Sequence, residues 1–117
     1  MPRVRLRYGC PVLTDAVIAQ AGRTLAQEAA APARVFLFGS HARGDAHEDS
    51  DLDFLVVERG DQPPTAQEIM RLRDALPPLG VPVDVIVMSE DLLRRRKDVP
   101  GSLAYWAMRE GRLVAES

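Results

Sequence analysis

Sulfur offers this chain almost nothing: its 117 residues include one cysteine, Cys10. No internal disulfide can form, and the chain suits a reducing compartment, the cytoplasm. A lone cysteine of this kind reads as an incidental thiol rather than a nucleophile. No apolar run approaches the ~20 residues that cross a bilayer, so no membrane role is expected. The basic start Met1-Pro2-Arg3-Val4-Arg5-Leu6-Arg7 is not followed by the apolar stretch of a secretory leader. A strong charge of either sign is also missing. The formal net charge is −2, which gives no global pull toward nucleic acid, and no direct nucleic-acid binding is expected. Histidine is scarce, and His41 and His47 with the scattered acids lack the spacing of a zinc site. Repeats, low-complexity tracts and domain linkers are absent.

What is present suits one packed domain. Hydrophobic residues make up 46% of the chain, enough for a core without staples. The reading is a single domain over 1–117, with its core at about 14–115. Residues 1–13 read as a loose lead-in or an edge strand. Thr14 is placed to cap a helix running to about Ala30, with Val17, Ile18, Ala21 and Leu25 on one face. Thr65-Ala66-Gln67-Glu68 reads as a capping box that opens a second helix, with Ile69, Leu72 and Leu76 as its buried stripe. Ser89 starts a third, whose Glu90 and Asp91 lead and whose Arg94, Arg95, Arg96 and Lys97 trail, as the helix dipole favours. A last helix spans Leu103–Glu110 and ends at Gly111, and Arg112–Ala115 adds a short strand. Tyr105 and Trp106 read as core or interface aromatics. Three apolar runs, Arg34–Phe38, Phe54–Val57 and Val81–Met88, read as buried strands. The fold class is therefore α/β (α+β): a small mixed sheet of three to five strands flanked by helices.

The chemistry concentrates between the first two strands. Gly39-Ser40 follows the first, and ten residues later comes Asp51-Leu52-Asp53 at the head of the second. Side chains on a strand alternate, so Asp51 and Asp53 point the same way, about 6.6 Å apart along the chain. Two such carboxylates suit one hard divalent cation or an adjacent pair, and Mg²⁺ takes carboxylates together with phosphate and water. Gly39 can adopt backbone angles closed to other residues and admits a ligand closely. Ser40 is placed to cap a short helix through Arg43, and a helix N-terminus offers N–H groups to phosphate. Residues 39–58 hold Asp45, Glu48, Asp49, Asp51, Asp53 and Glu58 against Arg43 alone, a concentrated negative field. Asp84 stands inside the third apolar run, where a charge is costly unless paired or bound to metal. It joins Asp51 and Asp53 if the third strand lies beside the second. Arg43 is balanced between pairing with phosphate and pinning the acidic loop. His41 and His47 read as surface residues.

The string Gly39-Ser40-His41-Ala42-Arg43-Gly44 through Ser50-Asp51-Leu52-Asp53-Phe54 resembles the signature of the polymerase-β-like nucleotidyltransferase superfamily, and its minimal nucleotidyltransferase (MNT) branch in particular. The resemblance covers most of the chain. It implies that Asp51 and Asp53 hold two Mg²⁺ ions, that Asp84 holds one of them and helps deprotonate the attacking hydroxyl, and that Gly39 and Ser40 hold the β- and γ-phosphates of ATP. It further implies AMP transfer with release of pyrophosphate. Proteins similar to this one act as antitoxins beside a HEPN-type toxin, adenylylating its tyrosine, as in type VII-like toxin–antitoxin systems. The chain carries no extra domain for an acceptor, so the expected acceptor sits on a partner protein, in a homo- or hetero-oligomer. The alternative is a binding module of the same fold that neutralises its partner by contact.

Overall fold

The computed structural model describes residues 13–47 and 50–117; the lead-in over 1–12 and the acidic Glu48 and Asp49 lie outside it. The elements run α1 (Asp15–Glu28), β1 (Ala33–Phe38), α2 (Ser40–Arg43), β2 (Leu52–Glu58), α3 (Ala66–Ala75), β3 (Val83–Ser89), α4 (Glu90–Arg96), α5 (Leu103–Glu110) and β4 (Arg112–Glu116). The helices begin where the sequence places capping hydroxyls. Thr14, Thr65, Ser89 and Ser102 each accept a hydrogen bond from a backbone N–H three residues on.

The four strands form one mixed sheet in the order β3-β2-β1-β4. β1 pairs antiparallel with both β2 and β4, while β2 and β3 are parallel. A parallel neighbour requires a crossover, and α3 supplies it. The alternation of β2 divides the core in two. Leu52, Phe54 and Val56 join Val35, Leu37, Val85 and Val87 on the face packed with Ile18, Leu25 and Leu72 of α1 and α3. Leu55 and Val57 join Phe38 and Met88 on the other face, under Leu93 of α4 and Ala104 and Ala107 of α5. Asp53 has the parity of Leu55 and Val57, so it belongs to the face that α5 covers. At Gly22 the seating of α1 on β4 is close: a Cβ there would stand 2.8 Å from Val114 Cγ2.

Two local expectations need correction. Thr65 does accept from the Glu68 N–H at 3.1 Å, but the Glu68 carboxylate does not complete the box. It turns inward and, with Glu58, accepts from the single N–H of Ala30, at 3.0 and 2.9 Å. Glu58 therefore leaves the acidic group around the motif and sits at the opposite end of β2, buried. Of the two readings for Trp106, core or interface, its 49% exposure excludes the core. Tyr105 is half-buried, and the Arg109 guanidinium lies 4.3 Å from the centre of its ring.

Candidate active site

Asp53 and Asp84 are direct neighbours in the parallel β2–β3 register. Their side chains leave the sheet on the same face, and their carboxyl groups are within hydrogen-bond reach. Asp53 is half-buried, Asp84 exposed, and Asp51 exposed one residue before β2. Burial raises the Asp53 carboxyl above the usual range, and the charges of Asp84 and Asp51 add to the rise. Among the described residues no three His, Cys, Asp or Glu side chains are gathered tightly enough to cage an ion. The donor set still fits Mg²⁺. Its oxygens are hard ligands, and the repulsion on Asp53 is the kind a cation relieves.

Gly39 closes the site from β1. Its φ of +80° with ψ −158° lies in a region that is essentially glycine-only. A Cβ at this position would fall onto Asp53 Oδ2. The backbone of the Gly-Ser turn is thus pressed against the carboxylate it serves. The structure corrects one detail here. Ser40 is the first residue of α2, Gly39 is the cap, and no side chain caps the helix.

Arg43 is occupied. Its Nε donates to Asp45 at 3.1 Å and its Nη1 to Glu110 at 3.0 Å, which ties the motif to the end of α5. The geometry favours the loop-pinning side of the balance. Glu110 was not foreseen, because nothing local marks a contact between residues 43 and 110. His41 is not a plain surface residue either. It is half-buried, its Nε2 lies 3.2 Å from the Ser50 carbonyl oxygen, and a positive charge on its ring lowers the Asp53 carboxyl. Of the trailing cations on α4, Arg94 pairs with Glu90 and Arg95 with Asp91. A surface depression of about 740 Å³ between α1 and α3 contains none of the carboxylates above. No helix among the described residues is long and apolar enough to cross a membrane.

Comparison with known proteins agrees with this geometry. A protein of Methanocaldococcus jannaschii, provisionally named a protein adenylyltransferase, is 35% identical over 81 residues, 69% of this chain and 76% of that one. One chain of a toxin–antitoxin structure with AMP-PNP superposes with a TM-score of 0.60 at 19% identity, over 90% of this chain and 75% of that chain. A provisionally named nucleotidyltransferase of Sulfolobus solfataricus gives 0.57 at 24% identity, over 85% and 77%. A mutant MntA–HpeT toxin–antitoxin structure gives 0.58 at 17%, over 90% and 75%. At these identities the solved structures establish the fold. The nucleotidyltransferase domain family matches residues 19–102, and with the 35% identical relative this places the chain in that family.

Proposed function

We propose that the chain transfers the AMP group of ATP to a hydroxyl on a partner protein, a tyrosine of a HEPN-type toxin, and that this modification makes it the antitoxin of a type VII-like pair. The observation that carries the reading is the side-by-side placement of Asp53 and Asp84 against the Gly39-Ser40 turn. Support comes from the family, from the adenylyltransferase name of the relative, and from fold neighbours taken from toxin–antitoxin structures.

In this reading Asp51, Asp53 and Asp84 would hold Mg²⁺, two ions, which when bound supply charge neutralisation on the phosphates. Gly39 and Ser40 would face the β- and γ-phosphates through the backbone of the turn. The acceptor oxygen forms a bond to the α-phosphorus of ATP while the bond from that phosphorus to pyrophosphate breaks. The acceptor's proton passes to the carboxylate of Asp84, whose exposure leaves it open to an incoming hydroxyl. Arg43 stays with Asp45 and Glu110, and steadies the turn rather than gripping phosphate.

A second reading, neutralisation by contact without chemistry, is favoured by one observation. Val99, Leu103 and Trp106 are large apolar residues exposed on α5 and the turn before it. Exposed apolar residues of this size suit a protein partner, with Trp106 as an anchor. Co-expression with the toxin, with ATP-derived label followed on the toxin, separates the two. The wild type should rescue growth and add one adenylyl mass. Asp51→Asn with Asp53→Asn should still bind the toxin and fail to rescue. Full rescue by the double variant with no mass change would replace the enzymatic reading with the contact reading.

A further inference from the structure

Two of the site carboxylates are placed by the sheet, since Asp53 and Asp84 are fixed by the β2–β3 register. Asp51 is not. It precedes β2, and its own side chain is exposed. Its position depends on the backbone groups on either side. On one side, the Leu52 N–H donates to the Pro82 carbonyl at 2.9 Å, which extends the pairing with β3 by one step. On the other side, the Ser50 carbonyl meets His41 Nε2 at 3.2 Å. A carbonyl only accepts, so the proton of that bond is on Nε2. Ser50 is further turned back on the loop by its N–H to the His47 carbonyl, 3.0 Å, and by its Oγ, which accepts from the His47 N–H at 2.9 Å. Asp51 is thus suspended between a sheet anchor and a histidine anchor.

The histidine anchor is carried by α2. This helix begins directly after Gly39, whose backbone is pressed against Asp53. The imidazole reaches from the first turn of α2 to the last residue before Asp51. It therefore couples the turn that faces phosphate to the carboxylate that lies outside the sheet.

We propose that His41 is a positioning residue: by donating to the Ser50 carbonyl it fixes Ser50 and sets Asp51 beside Asp53. The proposal deepens the functional reading above and rests on it for the metal-dependent part. Exchange of the Ser50 and Asp51 amides offers a measurement that does not.

The test uses the full chain with His41→Ala and His41→Gln, beside the wild type and Asp51→Asn/Asp53→Asn. Glutamine places an amide N–H at nearly the reach of Nε2 and keeps the donor. The first readout is amide hydrogen exchange at Ser50 and Asp51 without ligand. The second is the Mn²⁺ concentration giving half of the thermal shift in the presence of ATP. His41→Ala should exchange faster at Ser50 and Asp51 while exchange in β1, β2 and β3 stays at the wild-type level. Its Mn²⁺ midpoint should rise roughly tenfold, the scale on which supports of metal ligands act. His41→Gln should bring both readouts back to within a few-fold of the wild type. Unchanged exchange in His41→Ala, or a glutamine variant no better than alanine, overturns the proposal. A wild type that gives no Mn²⁺ response sinks the metal-binding reading instead, and exchange alone then decides the role of His41. Should His41→Ala fail to fold, His41→Asn, whose amide falls short of Ser50, takes its place in the same comparison.

Discussion

Strand β2 carries a crowded pair of carboxyl groups at each end, and the two pairs have opposite surroundings. At its start, Asp53 faces Asp84 across the parallel register with Asp51 nearby, and two of the three are exposed. At its end, Glu58 faces Glu68 of α3; each is only 5% exposed, and both converge on the N–H of Ala30. Burial and the neighbouring carboxyl raise the affected group in both places, and Glu58 is pushed up to about 7. The Glu pair meets its crowding internally: the raised Glu58 carboxyl holds its proton more tightly, and the Ala30 N–H serves both groups. The Asp group is open to solvent. Carboxyl crowding alone therefore does not mark an active site. Crowding that remains open to an incoming cation is what distinguishes the proposed site.

The comparison breaks most sharply by amide substitution at each end. Asp84→Asn should leave the melting temperature nearly unchanged and cut transfer to the acceptor by about 10²–10⁴-fold, the range for loss of a general base. Glu58→Gln should leave transfer intact. A Glu58→Gln variant as inactive as Asp84→Asn would erase the distinction drawn between the two ends.

Gly39→Ala sharpens the geometric half. The residue would need a backbone conformation closed to alanine, at a cost of about 1–3 kcal/mol, and its methyl group would displace the Asp53 carboxylate. Denaturant titration should register the loss, together with a weaker metal response. A stable variant with normal metal response would show that the turn is not pressed on Asp53 in solution.

The buried end makes a pH prediction. Glu58 in the folded chain holds its proton to about 7, against an ordinary 4.5. Between those values the folded form binds more protons than the unfolded one, so stability falls as pH rises. The groups facing Glu58 are Glu68 and the Ala30 N–H, with Arg71 opposing the shift. Melting temperature should drop by about 5 °C from roughly pH 5 to pH 8. Glu58→Gln should flatten most of that slope, and Asp53→Asn a smaller part. A wild-type curve that rises with pH over this window would contradict a raised Glu58 carboxyl. Asp53 is raised as well, so a proton competes with a cation for it and Mg²⁺ should bind less tightly at low pH.

The smallest expected effect lies on α4. Arg95→Ala removes an exposed pair with Asp91 four residues away and should cost about 0.3–0.5 kcal/mol. A loss above 1 kcal/mol by chemical denaturation would give that pair a role beyond surface charge.

The strands, the caps of α1, α3 and α4 and the mixed sheet were legible in the sequence because each rests on local pattern: apolar runs, hydroxyls before periodic segments, prolines and glycines between. The meeting of Asp53 and Asp84 needed only one further condition, that the third apolar run lie beside the second. The partners of polar side chains were not legible. Glu68 has the spacing of a capping residue, yet it is drawn inward because Glu58 and the Ala30 N–H require a partner there. Glu110 meets Arg43, and His41 meets Ser50, through contacts that the fold creates and no neighbouring residue signals. The acidic cluster read along the sequence was likewise divided, since a strand of seven residues separates Glu58 from Asp53 by its own length.

Strand β1 lies at the centre of a problem in timing. Arg34 pairs with Val57 on one side and with Glu116 on the other. The first partner leaves the ribosome soon after β1, and the second only when nearly all of this sequence has been made. The β1–β2 hairpin can therefore form early, while α1, which rests on β4 through Gly22, has no complete platform until Arg112–Glu116 arrives. Pairings of such long span are slow to close. Until then β1 offers a bare apolar edge, and a chain cut before Arg112 should associate with itself rather than fold.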